Sequence, residues 1–180
     1  MKSKGRTRYL TQDEESRLLA ALPEGVKRDA AMFLLDTGAR VNEALTLTWE
    51  DLAHHQDFAR VTFYRTKNGR ARTVPLTARA ADCLRRARAE GRSRPFPVAY
   101  HAMWVAFDKA RKAAALGGSE ALVVHSLRHT CASRLVQRGA ALHLVKDWLG
   151  HSSLDLTLRY SHLATDALNP LAGLLESCHG

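Results

Sequence analysis

His125, Arg128, His151 and Tyr160 bring imidazole, guanidinium and phenol groups into the carboxy-terminal third of the chain. His125 and Arg128 are three residues apart, so on one helix both side chains face the same point. A guanidinium fork beside imidazole donors suits a tetrahedral phosphate. A phenol titrates near about 10, so Tyr160 becomes a nucleophile at neutral pH only with a base and positive charge close by. Plainer readings exist for each residue alone. Tyr160 would serve as a half-buried core tyrosine, Arg40 as a helix-end group and Lys67 as a solvated hairpin lysine. The His125/His129 spacing of four would suit zinc, but Ser126 occupies the place where a metalloprotease helix needs glutamate, and Arg128 would sit against the ion.

Short amphipathic helices must position these groups. Leu127, Leu135 and Val136 recur at helical spacing after His125, with Gly139 as the stop. A second helix, from about Ala141 to Leu149, carries Leu142, Leu144, Val145 and Trp148 and ends at Gly150. Ser152 or Ser153 is expected to cap a third, holding Leu154, Leu156, Leu158 and Tyr160.

Upstream, Thr11-Gln12-Asp13-Glu14 reads as a capping box for a helix that Pro23 closes. A helix over about Val26 to Thr37 ends at Gly38, the next turn delivers Arg40, and a short helix from Asn42 runs to near Trp49. Between Phe58 and Leu76 the period changes to alternation, and Asn68-Gly69 marks a hairpin with Lys67 at its tip. Thr77 caps a helix to about Glu90, with Cys83 and Leu84 inward. Another helix carries Met103, Trp104, Phe107 and Leu116 before Gly117-Gly118. The fold class is therefore mainly α with a small antiparallel sheet (α+β). Met1 to Arg8 reads as a basic arm, leaving residues 11–180 as one domain with a hydrophobic core.

Twenty-seven Lys+Arg against 18 Asp+Glu give a net charge of +9. The basic residues are bunched at Lys2–Arg8, Arg65–Arg72, Arg85–Arg94 and Arg128–Arg138, which favours a polyanion, with nucleic acid foremost. Cys83, Cys131 and Cys178 are far apart and form no CxxC pair, as expected of reduced thiols in a cytoplasmic protein, two of them buried. No apolar run approaches membrane-spanning length, and the amino terminus lacks the apolar core of a signal peptide.

Thr37-Gly38-Ala39-Arg40 with Glu43, Thr66-Lys67 before Arg72-Thr73-Val74-Pro75-Leu76, His125-Ser126-Leu127-Arg128-His129-Thr130, Leu149-Gly150-His151 and Tyr160 together resemble the tyrosine recombinases of the phage-integrase family. Each motif is short, but the ordered set is specific. The resemblance implies the integrase catalytic-domain fold and site-specific cleavage and rejoining of double-stranded DNA through a 3′-phosphotyrosyl intermediate. Tyr160 matches the nucleophile, and Arg40 and Arg128 match the arginine pair on the scissile phosphate. Lys67 matches the general acid toward the departing 5′-oxygen. His125 matches the residue that helps deprotonate the tyrosine or bonds the phosphate, and His151 a further phosphate donor. Glu43 corresponds to an acidic residue supporting the site, while His129 and His162 read as structural.

The same resemblance implies DNA integration or recombination by a phage or bacterial mobile element. It further implies no cofactor or metal, a monomer when free and a tetrameric homo-oligomer on DNA. Relatives carry an amino-terminal core-binding domain that this sequence is expected to lack, which predicts weak DNA affinity for the chain alone. The apolar segment Leu171–Leu175 resembles a tail that docks on a neighbouring protomer. Two alternatives are a type IB topoisomerase-like relaxing activity and a DNA-binding module that does not cut.

Overall fold

Threonine caps start two of the helices that frame the protein. In the computed structural model, which describes residues 8–52, 58–64, 69, 71–118 and 121–164, helix α1 (Gln12–Ala21) opens with the expected reciprocal box. The Glu14 N–H donates to Thr11 Oγ1 at 3.2 Å, and the Thr11 N–H donates to the Glu14 carboxylate at 2.9 Å. Helix α4 (Ala78–Ala89) opens on a threonine cap alone, with Ala80 N–H donating to Thr77 Oγ1 at 3.1 Å. Lys67, the segment 171–175 and Cys178 lie outside the described residues.

Helix α2 (Val26–Thr37) packs against α4 and against α6 (Ser126–Gln137). With α5 (Tyr100–Ala113) they enclose Phe33, Phe96, Leu84, Met103 and Phe107 in the main core. The Phe33 and Phe96 ring centroids are 4.9 Å apart. Each such side chain contributes roughly 1.5–3 kcal/mol by leaving water. A second, smaller core joins Ala132 and Val136 of α6 to Val145 and Leu149 of α7 (Leu142–Leu149) and to Tyr160. The sheet is one antiparallel pair, β1 (Arg60–Phe63) with β2 (Arg72–Pro75), in which Val61 faces Val74 and Phe63 faces Arg72.

Three expectations need correction. The short helix α3 (Val41–Leu45) stops well before Trp49. Thr46 Oγ1 donates to the Asn42 carbonyl, and Asp51 takes both the N–H and the hydroxyl of Thr48, so local side-chain bonds replace further helix. Near Tyr160, α8 covers only Asp155–Leu158, and its cap position is Leu154, with neither Ser152 nor Ser153 bonding to it. Leu154, Leu156 and Leu158 are exposed, because residues two apart point to opposite sides of a helix; Thr157 is the residue that turns inward. Tyr160 therefore stands in the turn after α8, ahead of a 3₁₀ turn at Ser161–Leu163.

Within the Arg85–Arg94 cluster three arginines are ion-paired. Arg86 and Arg92 both pair with the buried Asp29 carboxylate, at 2.6 and 2.8 Å, and Arg85 pairs with Asp82. Cys83 and Cys131 are buried free thiols, both pushed up to about 12, first by burial. No described helix is long and apolar enough to cross a membrane.

Candidate active site

The loop after α2 is built to bring backbone and charge together. Thr37 closes the helix on itself, its hydroxyl donating to the Phe33 carbonyl at 2.7 Å and accepting from the Ala39 N–H at 3.2 Å. Gly38 then turns left-handed at φ 62°. A Cβ there would meet Leu149 Cδ2 at 2.7 Å and Cys131 Sγ at 3.1 Å, so the close approach of α2, α6 and α7 depends on glycine. Two residues on, Arg40 heads α3, where its N–H and one guanidinium nitrogen both bond the Glu43 carboxylate at 2.8 Å.

Arg128 reaches this loop from the first turn of α6. Only 4% exposed, it donates to the Gly38 carbonyl at 2.6 Å and to the Leu149 carbonyl at 2.7 Å. Both oxygens belong to helix C-termini, where carbonyls lack partners and the helix dipole is negative. No described carboxylate pairs with Arg128. Burial, then the charges of Arg40 and Arg72, press its pKa down to about 10. A buried cation in this condition gains most from an anion placed beside it.

Three imidazoles stand around these cations. His125 sits at the start of α6, its ring edge-on to His129, with centroids 4.8 Å apart. Burial first, and then Arg128, Arg40 and Arg159, lower its pKa. His151 follows the left-handed Gly150 that ends α7 and shares a hydrogen bond through Nδ1 with the Thr157 hydroxyl at 2.8 Å. Its pKa is pushed down to about 3 by burial, then by Arg128 and Arg40. His129 is pushed to about 4, by burial and then His125, Arg159 and Arg128. His129 and His151 are thereby uncharged at neutral pH and can each accept or donate a single proton, and the same burial and cations act on His125 in that direction.

Tyr160 is 1% exposed, and its phenol oxygen lies 2.6 Å from His129 Nδ1. Burial raises its pKa above 10, against the pull of neighbouring Arg159 and of Arg128. Arg40, His125, Arg128, His151 and Tyr160 thus share one neighbourhood, whose link to α7 includes a 3.4 Å contact from Arg40 to the Gly150 carbonyl. Three participants were not anticipated. His129, read as structural, holds the phenol; Thr157 holds His151; and buried Arg72 grips Glu43 with two nitrogens, at 3.0 and 2.7 Å. The two histidines of the HxxRH stretch gave a signal for His129, but spacing alone offered none for Thr157 or Arg72.

A family model described as the phage integrase family matches residues 8–166, and the chain belongs to that family. It is 34% identical over 180 residues to the integrase of Escherichia phage P2, covering 97% of this chain and 50% of the relative. It is 36% identical over 155 residues to the tyrosine recombinase XerC of Corynebacterium efficiens, covering 79% and 48%. Among solved structures, the catalytic domain of bacteriophage HP1 integrase is 32% identical with a TM-score of 0.73, covering 92% of this chain and 93% of that one. The chain spans about half the length of the curated relatives it matches.

Proposed function

We propose that this chain is the catalytic domain, over residues 11–180, of a site-specific DNA recombinase that cuts and rejoins duplex DNA through Tyr160. The observation that carries the reading is Arg128, a buried guanidinium with no described carboxylate partner, in one neighbourhood with Arg40, His151 and a buried phenol. That is an anion site beside a nucleophile.

In this reaction Arg40 and Arg128 take the non-bridging oxygens of the scissile phosphate, with His151 as a further donor. Two planar forks neutralise the charge that builds on those oxygens better than ammonium groups would. The Tyr160 oxygen attacks phosphorus as its proton leaves to an imidazole, His125 by the family resemblance. The new O–P bond replaces the P–O5′ bond, and the departing 5′-oxygen takes a proton from Lys67. The phosphotyrosyl ester keeps the energy of the broken diester, so a 5′-hydroxyl from the same or another duplex restores DNA without a nucleotide. Exchange between two sites takes four copies, one for each strand cut.

A library of nicked duplexes randomised around the nick tests the reading, because loss of the short strand beyond the nick traps the adduct. The chain is expected to become covalently attached to DNA, and Tyr160→Phe to abolish the attachment; an adduct that survives this change assigns the nucleophile elsewhere. Sequencing the trapped DNA gives the preferred site. Products then separate strand exchange between two such sites from relaxation of one plasmid.

A further inference from the structure

We infer that Arg72 is a positioning residue of this site: its buried guanidinium joins strand β2 to α3 and α7 and, through Glu43, aims Arg40. The inference rests on the proposed function for what Arg40 is aimed at. The side chain is 8% exposed and lies with its guanidinium carbon 4.6 Å over the Phe63 ring. Its Nε donates to the Trp148 carbonyl in α7 at 3.2 Å, while its two terminal nitrogens meet the two Glu43 oxygens.

Glu43 is fixed by these bonds and in turn fixes Arg40, through both backbone and guanidinium. Burial alone would raise the Glu43 pKa, but Arg72 first and then Arg40 outweigh it and hold the carboxyl below its usual range. The carboxylate thus stays charged and keeps both arginines. Packing closes the third side: a Cβ on Gly150 would lie 2.8 Å from Arg72 Cδ, and His151 is the next residue. One guanidinium therefore sets the mutual placement of the segments that carry Arg40 and His151. It also lies in β2, the strand that follows Lys67 in the sequence. Lysine cannot substitute, because a point charge does not span two carboxylate oxygens and a carbonyl together.

Arg92 supplies a control. It is 7% exposed and paired with a buried carboxylate, Asp29, but makes no described contact with the site. Arg72→Met, Arg72→Lys and Arg92→Met are compared with the unmodified chain after melting curves establish that each is folded. Nitrogen–proton spectra of the guanidinium groups read Arg40 directly. Its Nη–H signals, from the groups that bond Glu43 and face Gly150, are expected slowed and resolved in the unmodified chain and in Arg92→Met, and averaged with solvent in both Arg72 variants. An unchanged Arg40 signal overturns the inference, whatever the DNA chemistry.

Cleavage of the trapped-site duplex gives the second reading. Arg72→Met is expected to slow cleavage about 100-fold, the scale of a small misplacement in a site. The loss should shrink when a methylphosphonate replaces the scissile phosphate, because a neutral phosphorus centre depends less on Arg40. Equal losses on both substrates, or the same loss in Arg92→Met, would mean that Arg72 only supports the fold. If the unmodified chain forms no adduct, the cleavage reading fails and the Arg40 signal still decides the role of Arg72.

Discussion

The phenol oxygen of Tyr160 lies 2.6 Å from Nδ1 of His129, inside the small core that α6 and α7 form. The nucleophile of the proposed reaction is therefore sheathed in the free protein, and its turn must shift before the oxygen meets a phosphate. Because burial raises the phenol pKa, the stability this neutral group contributes is complete below pH 10 and is lost as pH rises through the folded value. Ultraviolet difference titration should show a late tyrosine step above pH 10, and Tyr160→Phe should remove it. A titration curve that Tyr160→Phe leaves without loss of a late step would refute the sheathed phenol.

The acid side has the opposite sign. His125, His129 and His151 have folded pKa values below 6.5, with His129 at about 4 and His151 at about 3. Their neutral forms stabilise the fold fully above pH 6.5, and that contribution drains away as pH falls through those lower values. His129 and His151, both partly solvated, are each worth on the order of 1 kcal/mol. Urea midpoints taken between pH 7 and pH 4 should fall, and fall less in the His129→Gln and His151→Gln variants.

Arg128 makes the fold and the anion site depend on one side chain. Arg128→Ala strips partners from the Gly38 and Leu149 carbonyls and should cost about 2–4 kcal/mol. Sulfate, compared with chloride at equal ionic strength, should raise the melting temperature of the unmodified chain by binding the folded state. The same salt should do little for Arg128→Ala. Equal sulfate effects on both would place the anion elsewhere.

Gly38→Ala should destabilise the chain by about 2–4 kcal/mol, from left-handed strain and overpacking together. Gly91, with φ 65° close to that of Gly38 but with nothing within 4 Å of its Cβ position, is the comparison: Gly91→Ala should cost only the strain. Denaturant unfolding of the two variants separates the terms, and equal losses would mean that Leu149 and Cys131 move aside.

Duplex binding should weaken steeply with salt, with a slope of log affinity on log salt steeper than about −3 if several phosphates are neutralised. Arg86 and Arg92 are held by Asp29, so replacing that pair's arginines should leave the slope nearly unchanged. A large effect there would show that the bunched arginines bind DNA after all.

Local chemistry made much of the chain legible in advance. The Thr11 box, the Thr77 cap and the left-handed glycines 38 and 150 each depend on nearby residues, and each appears where the spacing put it. The segment before Tyr160 misled because leucines at intervals of two resemble a helix by composition but not by face. Within the Arg85–Arg94 stretch a linear count did not see that Arg86 and Arg92 converge on the Asp29 carboxylate of α2, because that pairing joins segments far apart in sequence.

By itself the sequence determined which side chains the chain possesses for phosphate chemistry and the order of the elements that carry them. Only the tertiary structure decided that Arg128 would end against two helix C-termini without a described carboxylate, that His129 would hold the phenol, and that Arg72 would hold Glu43. Caps, turns and strand pairing are settled over a few residues by hydrogen bonds the neighbours make. A contact such as that of the Arg128 side chain with a backbone carbonyl ninety positions away is settled by how helices pack, and packing answers to the whole chain at once.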